Sequence, residues 1–138
     1  IEREHTPAAL IYFSDHGEEV NEFRPFNGHA YEKVTSYMCE VPFLVWLSPD
    51  FKRMRPDLRF DLTRPYSTVD LPYTMANLAA LRFQGYDDTR SLLSPHFRPR
   101  PRRVGELPYE TVLDMTRKAK ERQRAPSFFG SLTRRFAE

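Results

Sequence analysis

The sequence predicts an α/β fold built on a mostly parallel sheet, and three observations carry that prediction. Residues 8–13 (AALIYF) form an unbroken apolar run between Pro7 and Ser14-Asp15. Residues 41–47 (VPFLVWL) form a second run, rich in β-branched and aromatic side chains. Continuous runs of this length suit strands buried on both faces, as parallel strands are; a one-sided sheet would alternate apolar with polar. From 71 to 81, Leu71, Met75, Leu78, Ala79 and Leu81 recur at helical spacing, which predicts a helix packed on that sheet.

Residues 1–7 are a polar lead-in, with His5 expected in solvent. The first strand ends on Ser14-Asp15-His16-Gly17. In open α/β sheets, ligand sites lie just beyond the carboxyl ends of strands. A carboxylate and an imidazole on consecutive residues, Asp15 and His16, can both reach one divalent ion, and such O and N donors suit zinc. Gly17 is expected to let the chain turn sharply there. Pro25, Asn27 and Gly28 then break regular structure, so 18–29 reads as a loop ending at His29. Residues 31–40 are of mixed polarity and hold at most a short helix. Cys39 is the single cysteine, which excludes a disulfide framework within the chain, and it reads as a small buried hydrophobe.

Pro42 is compatible only with the first residues of the second strand, and Ser48-Pro49-Asp50 ends it. The basic, Pro-containing stretch 51–65 reads as a solvated face. Ser67, Thr68 and Asp70 offer capping side chains for the helix, Pro72 fits its first turn and Gly85 is its expected stop. Residues 86–95 read as a loop; its Asp87-Asp88 pair lacks the ladder of alternating oxygen donors that calcium needs. Arg98-Pro-Arg-Pro-Arg-Arg103 should be extended and solvated, a natural boundary. A helix follows over 109–124, with Val112, Leu113, Met115 and Thr116 on one side and Pro126 as its end. Residues 127–136 pair phenylalanines with arginines, as a frayed terminus or a docking segment does.

The 138 residues are 40% hydrophobic and 14% aromatic, a composition that folds. No stretch approaches the roughly 20 apolar residues of a membrane-spanning helix. The sequence begins without methionine or a signal-peptide pattern, and so reads as the interior of something longer. The net charge of +2 hides an asymmetry: residues 1–97 carry 10 Lys/Arg against 14 Asp/Glu, and residues 98–138 carry 11 against 5. We therefore divide the chain into a body, 1–97, and a basic tail with one or two helices, 98–138. Nucleic acid is not an expected partner, since Arg/Pro alternation without a recognised binding fold supports it poorly.

The string YFSDHGEEV (residues 12–20) resembles the metal-binding segment of the alkaline phosphatase/sulfatase superfamily. More narrowly, it is similar to the phosphoethanolamine transferases that modify lipopolysaccharide in the Gram-negative envelope. Gly28-His29, VPFLVW (41–46), Gly85-Tyr86-Asp87 and Ser91-Leu-Leu-Ser94 agree in order, so the likeness covers roughly residues 8–100. It implies an incomplete, C-terminal part of an alkaline phosphatase/sulfatase-like sandwich. It also implies zinc, with Asp15 and His16 as two of its ligands. Glu18 would lie beside the metal, Glu18 or Glu19 would face the ethanolamine ammonium, and His29 would bind phosphate or assist proton transfer.

In that family a metal-bound threonine attacks phosphorus and becomes a covalent intermediate, which a second acceptor then relieves. The threonine and an early acidic ligand come from segments preceding anything in this sequence. The resemblance thus implies a chain inactive alone and completed by the remainder of the same enzyme, including a membrane anchor. Phosphatidylethanolamine would be the donor, an envelope glycolipid of the lipid A type the acceptor, and the periplasmic face of the inner membrane the location. Two alternatives stay open: a sulfatase or other phospho- or sulfo-ester hydrolase of the superfamily (a lipoteichoic-acid synthase relative among them), and a non-catalytic fragment that binds partners through its basic tail.

Overall fold

In the computed structural model, which describes residues 5–22 and 24–124, the two apolar runs become strands β1 (Ala9–Phe13) and β4 (Phe43–Leu47). Between them lie the short strands β2 (Glu19–Val20) and β3 (Asn27–Gly28). Helices α1 (Pro49–Met54) and α2 (Leu71–Leu78) follow, then a β-hairpin, β5 (Arg103–Val104) with β6 (Leu107–Pro108), and helix α3 (Tyr109–Arg124). The chain packs as two units. Among the described residues, one comprises 5–15 and 41–102, the other 16–22, 24–40 and 103–124. The segment expected as a separate tail from 98 is divided between them: residues up to Arg102 pack with the first unit, and the hairpin and α3 pack with 16–40. The 127–136 segment lies outside the described residues.

In the first unit, β1 and β4 form an antiparallel ribbon in the register Ala9↔Leu47 to Phe13↔Phe43. The apolar runs predicted parallel neighbours buried on both faces; this pairing is antiparallel and buries one face. Ile11 and Val45 pack on a core of Leu47, Phe51, Leu58, Leu78 and Leu93. The opposite face carries Leu10 (54% exposed), Tyr12 (55%), Leu44 (60%) and Trp46 (40%). Side chains alternate across a strand, so a continuous apolar run makes both faces sticky, yet among the described residues only one face has a covering layer.

Helix α1 arises inside the stretch expected to be a solvated face. Ser48 supplies its N-cap, accepting from the Phe51 amide at 3.2 Å, and Pro49 fills the first turn, where no amide donor is needed. The Ser48 hydroxyl also accepts from the Ala8 amide (3.0 Å) and donates to the Thr6 carbonyl (3.2 Å), so one buried oxygen ties the entry to β1 to the exit from β4. Helix α2 begins at Leu71 as the sequence predicts but stops at Leu78, seven residues before Gly85. Ala80 takes a left-handed φ of 54°, and Leu81 donates to the Ala76 carbonyl (2.8 Å), closing the C-terminus. The guanidinium of Arg55 donates to the last carbonyls, Asn77 O (2.6 Å) and Leu78 O (3.0 Å), where a cation is favoured.

Tyr66 stands against Phe43 (5.4 Å between ring centroids), and its hydroxyl shares a 2.6 Å hydrogen bond with the buried Thr74. Burial pushes its phenol up to about 12, from an ordinary 10.0.

Two expectations follow for the first unit. Ser48→Ala removes a cap and two further hydrogen bonds from a buried site, and should lower the free energy of unfolding in urea by about 2 kcal/mol. Because the Tyr66 pKa is raised in the folded state, its contribution is fully present below pH 10.0 and is lost as pH rises toward about 12. Urea midpoints measured across that window should fall less steeply in Tyr66→Phe than in the parent chain.

Candidate metal centre

The second unit gathers three metal-competent side chains, His16, Glu18 and His29, each offering a donor atom within 4.8 Å of the others. Their approach follows from the local backbone. Gly17 donates its amide to the Met38 carbonyl (3.0 Å), and a Cβ at this position would collide with the carbonyl oxygens of Tyr37 and Glu40. Close backbone approach, rather than the sharp turn expected from the sequence, is therefore what requires glycine here. Next, β2 pairs antiparallel with β3 in the register Glu19↔Gly28, which returns the chain so that His29 lies over His16. The two imidazole centroids are 4.1 Å apart, and His29 Nδ1 is 3.9 Å from a Glu18 oxygen. His16 Nδ1 lies 3.0 Å from the carbonyl of Gly17.

All three side chains are exposed, so solvent reaches the cluster and a ligand can enter it. Two imidazoles and a carboxylate are the donor set of many catalytic zinc sites, and they leave a tetrahedral position open. Of the sequence-predicted site residues, the structure thus brings together His16, Glu18 and His29. Asp15 is exposed, directly precedes His16, and is not one of the three.

Beneath the cluster, the carboxylate of Glu19 is completely buried. Arg24 grips it with two bonds (Nε to Oε1, 2.6 Å; a terminal nitrogen to Oε2, 3.0 Å), and the Thr35 hydroxyl donates to it at 3.0 Å. The same guanidinium donates to the Lys33 carbonyl (3.0 Å) and sits 4.9 Å from the Phe26 ring centre. One ion pair therefore knits together 19, 24, 33 and 35, the backbone flanking Glu18 and His29. Sequence reasoning assigned Arg24 and Thr35 no role and offered Glu19, like Glu18, for the ethanolamine ammonium; complete burial takes Glu19 out of that role, and nothing in the spacing shows which acid of Glu18-Glu19 turns inward.

Helix α3 completes the unit. Its Thr116 hydroxyl accepts from the Ser36 amide (2.9 Å) and donates to the Val112 carbonyl (2.8 Å). Tyr109 donates to the Glu40 carboxylate, and Lys120 to the Tyr37 hydroxyl (2.6 Å). Val112 and Thr116 are buried as the helical spacing predicts, while Leu113 and Met115 are exposed. A cavity of about 450 Å³, lined mainly by apolar groups, opens beside the two histidines. Val34, Met38, Cys39 and the hairpin residues Val104 and Leu107 help to line it. Burial, and then the neighbouring Glu40 charge, push the Cys39 thiol above its ordinary 9.0, so it is a poor nucleophile there. The hairpin was missed in sequence although its signal is present: Val104-Gly105-Glu106-Leu107 places Gly first in a two-residue turn, with φ +55°.

The family model described as "Sulfatase" matches residues 2–81 of this chain. Phosphoethanolamine transferase EptC of Escherichia coli (strain K12) is 40% identical over 104 residues, covering 73% of this chain and 18% of that protein. Phosphoethanolamine transferase CptA of Salmonella typhimurium (strain LT2) is 41% identical over a stretch of equal length and coverage. Among solved structures, the C-terminal periplasmic domain of E. coli EptC in complex with zinc superimposes with a TM-score of 0.70 at 33% identity, covering 80% of this chain and 34% of that one. The chain thus spans less than a fifth of the length of the curated relatives it matches.

Removing the Glu19 charge should be severe, because it leaves the mostly buried Arg24 guanidinium (25% exposed) facing a neutral group. Glu19→Gln is expected to lower the unfolding free energy by about 3 kcal/mol, the low end for a broken buried pair. Thr35→Val should lower it by about 1 kcal/mol. Urea denaturation of both variants measures the ordering.

Proposed function

The chain belongs to the sulfatase family, and on that premise we propose that it forms part of a zinc-dependent phosphoethanolamine transferase. The enzyme works at the periplasmic face of the bacterial inner membrane and moves phosphoethanolamine from phosphatidylethanolamine to a lipopolysaccharide-type glycolipid. The observation that carries this reading is the His16–Glu18–His29 cluster, standing in the SDHGE segment of a chain 40% identical to phosphoethanolamine transferases. None of the described helices is long and apolar enough to cross a membrane, and the likeness to the periplasmic domain of EptC supports a place outside the bilayer.

Asp15 and His16 are the two side chains we assign as zinc ligands, their O and N donors suiting that ion, and Glu18 and His29 of the cluster are left to the substrate. When bound, the ion supplies Lewis acidity, holding a nucleophile deprotonated and offsetting charge on the phosphoryl oxygens. His29, 4.1 Å from His16 between ring centroids, is placed to donate a hydrogen bond to the transferred phosphate. As the bond from phosphorus to the glyceride oxygen breaks, the same imidazole can give that oxygen its proton. It can later take a proton from the acceptor hydroxyl. Glu18 lies beside them and can hold the ethanolamine ammonium.

We assign the remaining polypeptide of the enzyme as the cover for the open ribbon face of Leu10, Tyr12, Leu44 and Trp46. Four large apolar side chains on one face form the kind of patch that soluble proteins keep covered. That polypeptide would also bring the nucleophile and the missing ligands, so this chain alone should bind zinc weakly and not turn over.

The test uses the longer polypeptide, labelled phosphatidylethanolamine and mass analysis of acceptor glycolipids. Asp15→Asn and His16→Ala should each abolish transfer and reduce bound zinc. Full activity in both variants would sink the assignment. Hydrolysis of sulfate esters, or release of phosphoethanolamine to water without an acceptor, would replace the transferase by a hydrolase of the same family.

A further inference from the structure

The Arg/Pro segment, left by the sequence as a solvated boundary, forms one wall of a cleft in the first unit. The cleft measures about 310 Å³, and Ser67, Asp70, Arg90, Phe97, Arg100 and Arg102 are among its lining residues. Its charge is lopsided, with three guanidiniums against one carboxylate. That carboxylate is already engaged. Asp70 is buried, accepts from Arg90 Nε at 2.6 Å, and fixes Arg90 in place with the Tyr73 hydroxyl (2.5 Å) and the Tyr73 ring beneath (3.8 Å). Arg90 is thus a rigid, locally neutralised floor.

Arg100 is different. Its side chain is about half exposed and pairs with Asp87 (2.8 Å), itself at the surface. Asp87 is principally occupied with Thr89, whose amide (3.0 Å) and hydroxyl (2.6 Å) both donate to it, and this hydrogen bonding holds its carboxyl below the usual range. An incoming anion therefore competes for Arg100 against one solvent-exposed ion pair, the kind that contributes little. Residues two apart in extended chain project to the same side, which is how Arg100 and Arg102 come to share the cleft. Pro99 and Pro101 restrict the backbone around them, so less freedom is lost when the guanidiniums close on a ligand. The Phe97 ring is itself pinned by Arg64, 5.0 Å from its centre, and that guanidinium is held by the carbonyls of Leu92 (2.6 Å) and Ser94 (2.8 Å). A stiff aromatic wall beside two guanidinium forks suits a ring that carries a phosphate.

We propose that this cleft, with Arg100 and Arg102 as its ligand-holding residues, binds the phosphomonoester of a phosphorylated sugar. Two guanidinium forks, Arg100 and Arg102, on one wall suit the three terminal oxygens of a phosphomonoester better than the two of a phospholipid diester. The sugar takes its identity from the proposed transfer to an anionic glycolipid, and to that extent the inference rests on that reading; the cleft itself does not.

The experiment is a titration of the isotopically labelled 138-residue chain, followed by amide NMR shifts, with glucosamine 1-phosphate and, separately, glycerophosphoethanolamine. Glucosamine 1-phosphate should shift amides of Ser67, Phe97, Arg100 and Arg102 saturably. Arg100→Ala and Arg102→Ala should each weaken it about tenfold, the loss of one charge-assisted partner. Asp87→Asn frees Arg100 and keeps the Thr89 contacts, so it should tighten binding, an effect that general loss of structure cannot mimic. Equal binding of glycerophosphoethanolamine would reassign the cleft to a lipid headgroup and overturn the sugar. Shifts confined to residues outside the cleft, or binding unchanged in both arginine variants, would overturn the site. Transfer assayed in the longer polypeptide separates the two readings. Phosphate binding in the cleft without transfer upholds the cleft and counts against the transferase, and transfer without phosphate binding does the reverse.

Discussion

The carboxylate of Glu19 has no access to water, and everything in the loop that bears the metal-competent side chains is arranged around that fact. A buried charge is tolerated only when paired and hydrogen-bonded. Arg24 supplies two bonds and Thr35 a third, leaving the carboxylate well satisfied. Because the three partners lie in different turns of the loop, satisfying one carboxylate fixes their backbone relative to one another. Glu18 points the opposite way by strand alternation, and so reaches solvent where Glu19 cannot. The exposed cluster thus rests on a buried ion pair one residue away, an arrangement in which flexible ligands gain a rigid support.

A parallel logic governs the first unit, where the support is a hydroxyl rather than a charge. Ser48 closes the end of the ribbon, caps α1 and meets the chain entering β1. Its neighbours Leu47 and Phe51 enter the apolar core. Polar satisfaction and apolar burial are achieved within a few residues of each other, so one short segment sets both the ribbon's end and the helix's direction. Arg55 then reaches from the end of α1 to the last carbonyls of α2 and joins the two helices electrostatically.

The ribbon's second face shows what this chain does not do for itself. Its side chains were selected for burial, and the structure leaves them open to solvent. The conflict lies in the sequence pattern and not in the packing, since the covered face is orderly and the register is regular. A relative about four times longer offers a source for the missing layer, consistent with the proposal that this chain is one part of a larger catalytic body.

The sequence by itself determined the positions of both long strands, the start of α2 and all of α3, because each rests on local pattern: apolar runs, capping residues and helical spacing. It also singled out Asp15, His16, Glu18 and His29 as chemistry-bearing residues, with Asp15 and His16 as the expected metal pair, whereas the gathering of His16, Glu18 and His29 into one cluster belongs to the fold. Only the tertiary structure decided strand direction, because an apolar run says that a strand is buried without saying which way its neighbour runs. It also decided that Glu19 and not Glu18 turns inward, that Gly17 serves a close backbone approach, and that the hairpin and α3 pack with 16–40 instead of trailing as a tail. Helix α1 and the early stop of α2 at Ala80 escaped the sequence as well, each short enough for a handful of tertiary bonds to outweigh local propensity. These outcomes share one physical cause. Each depends on which distant group satisfies a buried donor, acceptor or apolar face, and that pairing exists only once the chain has folded.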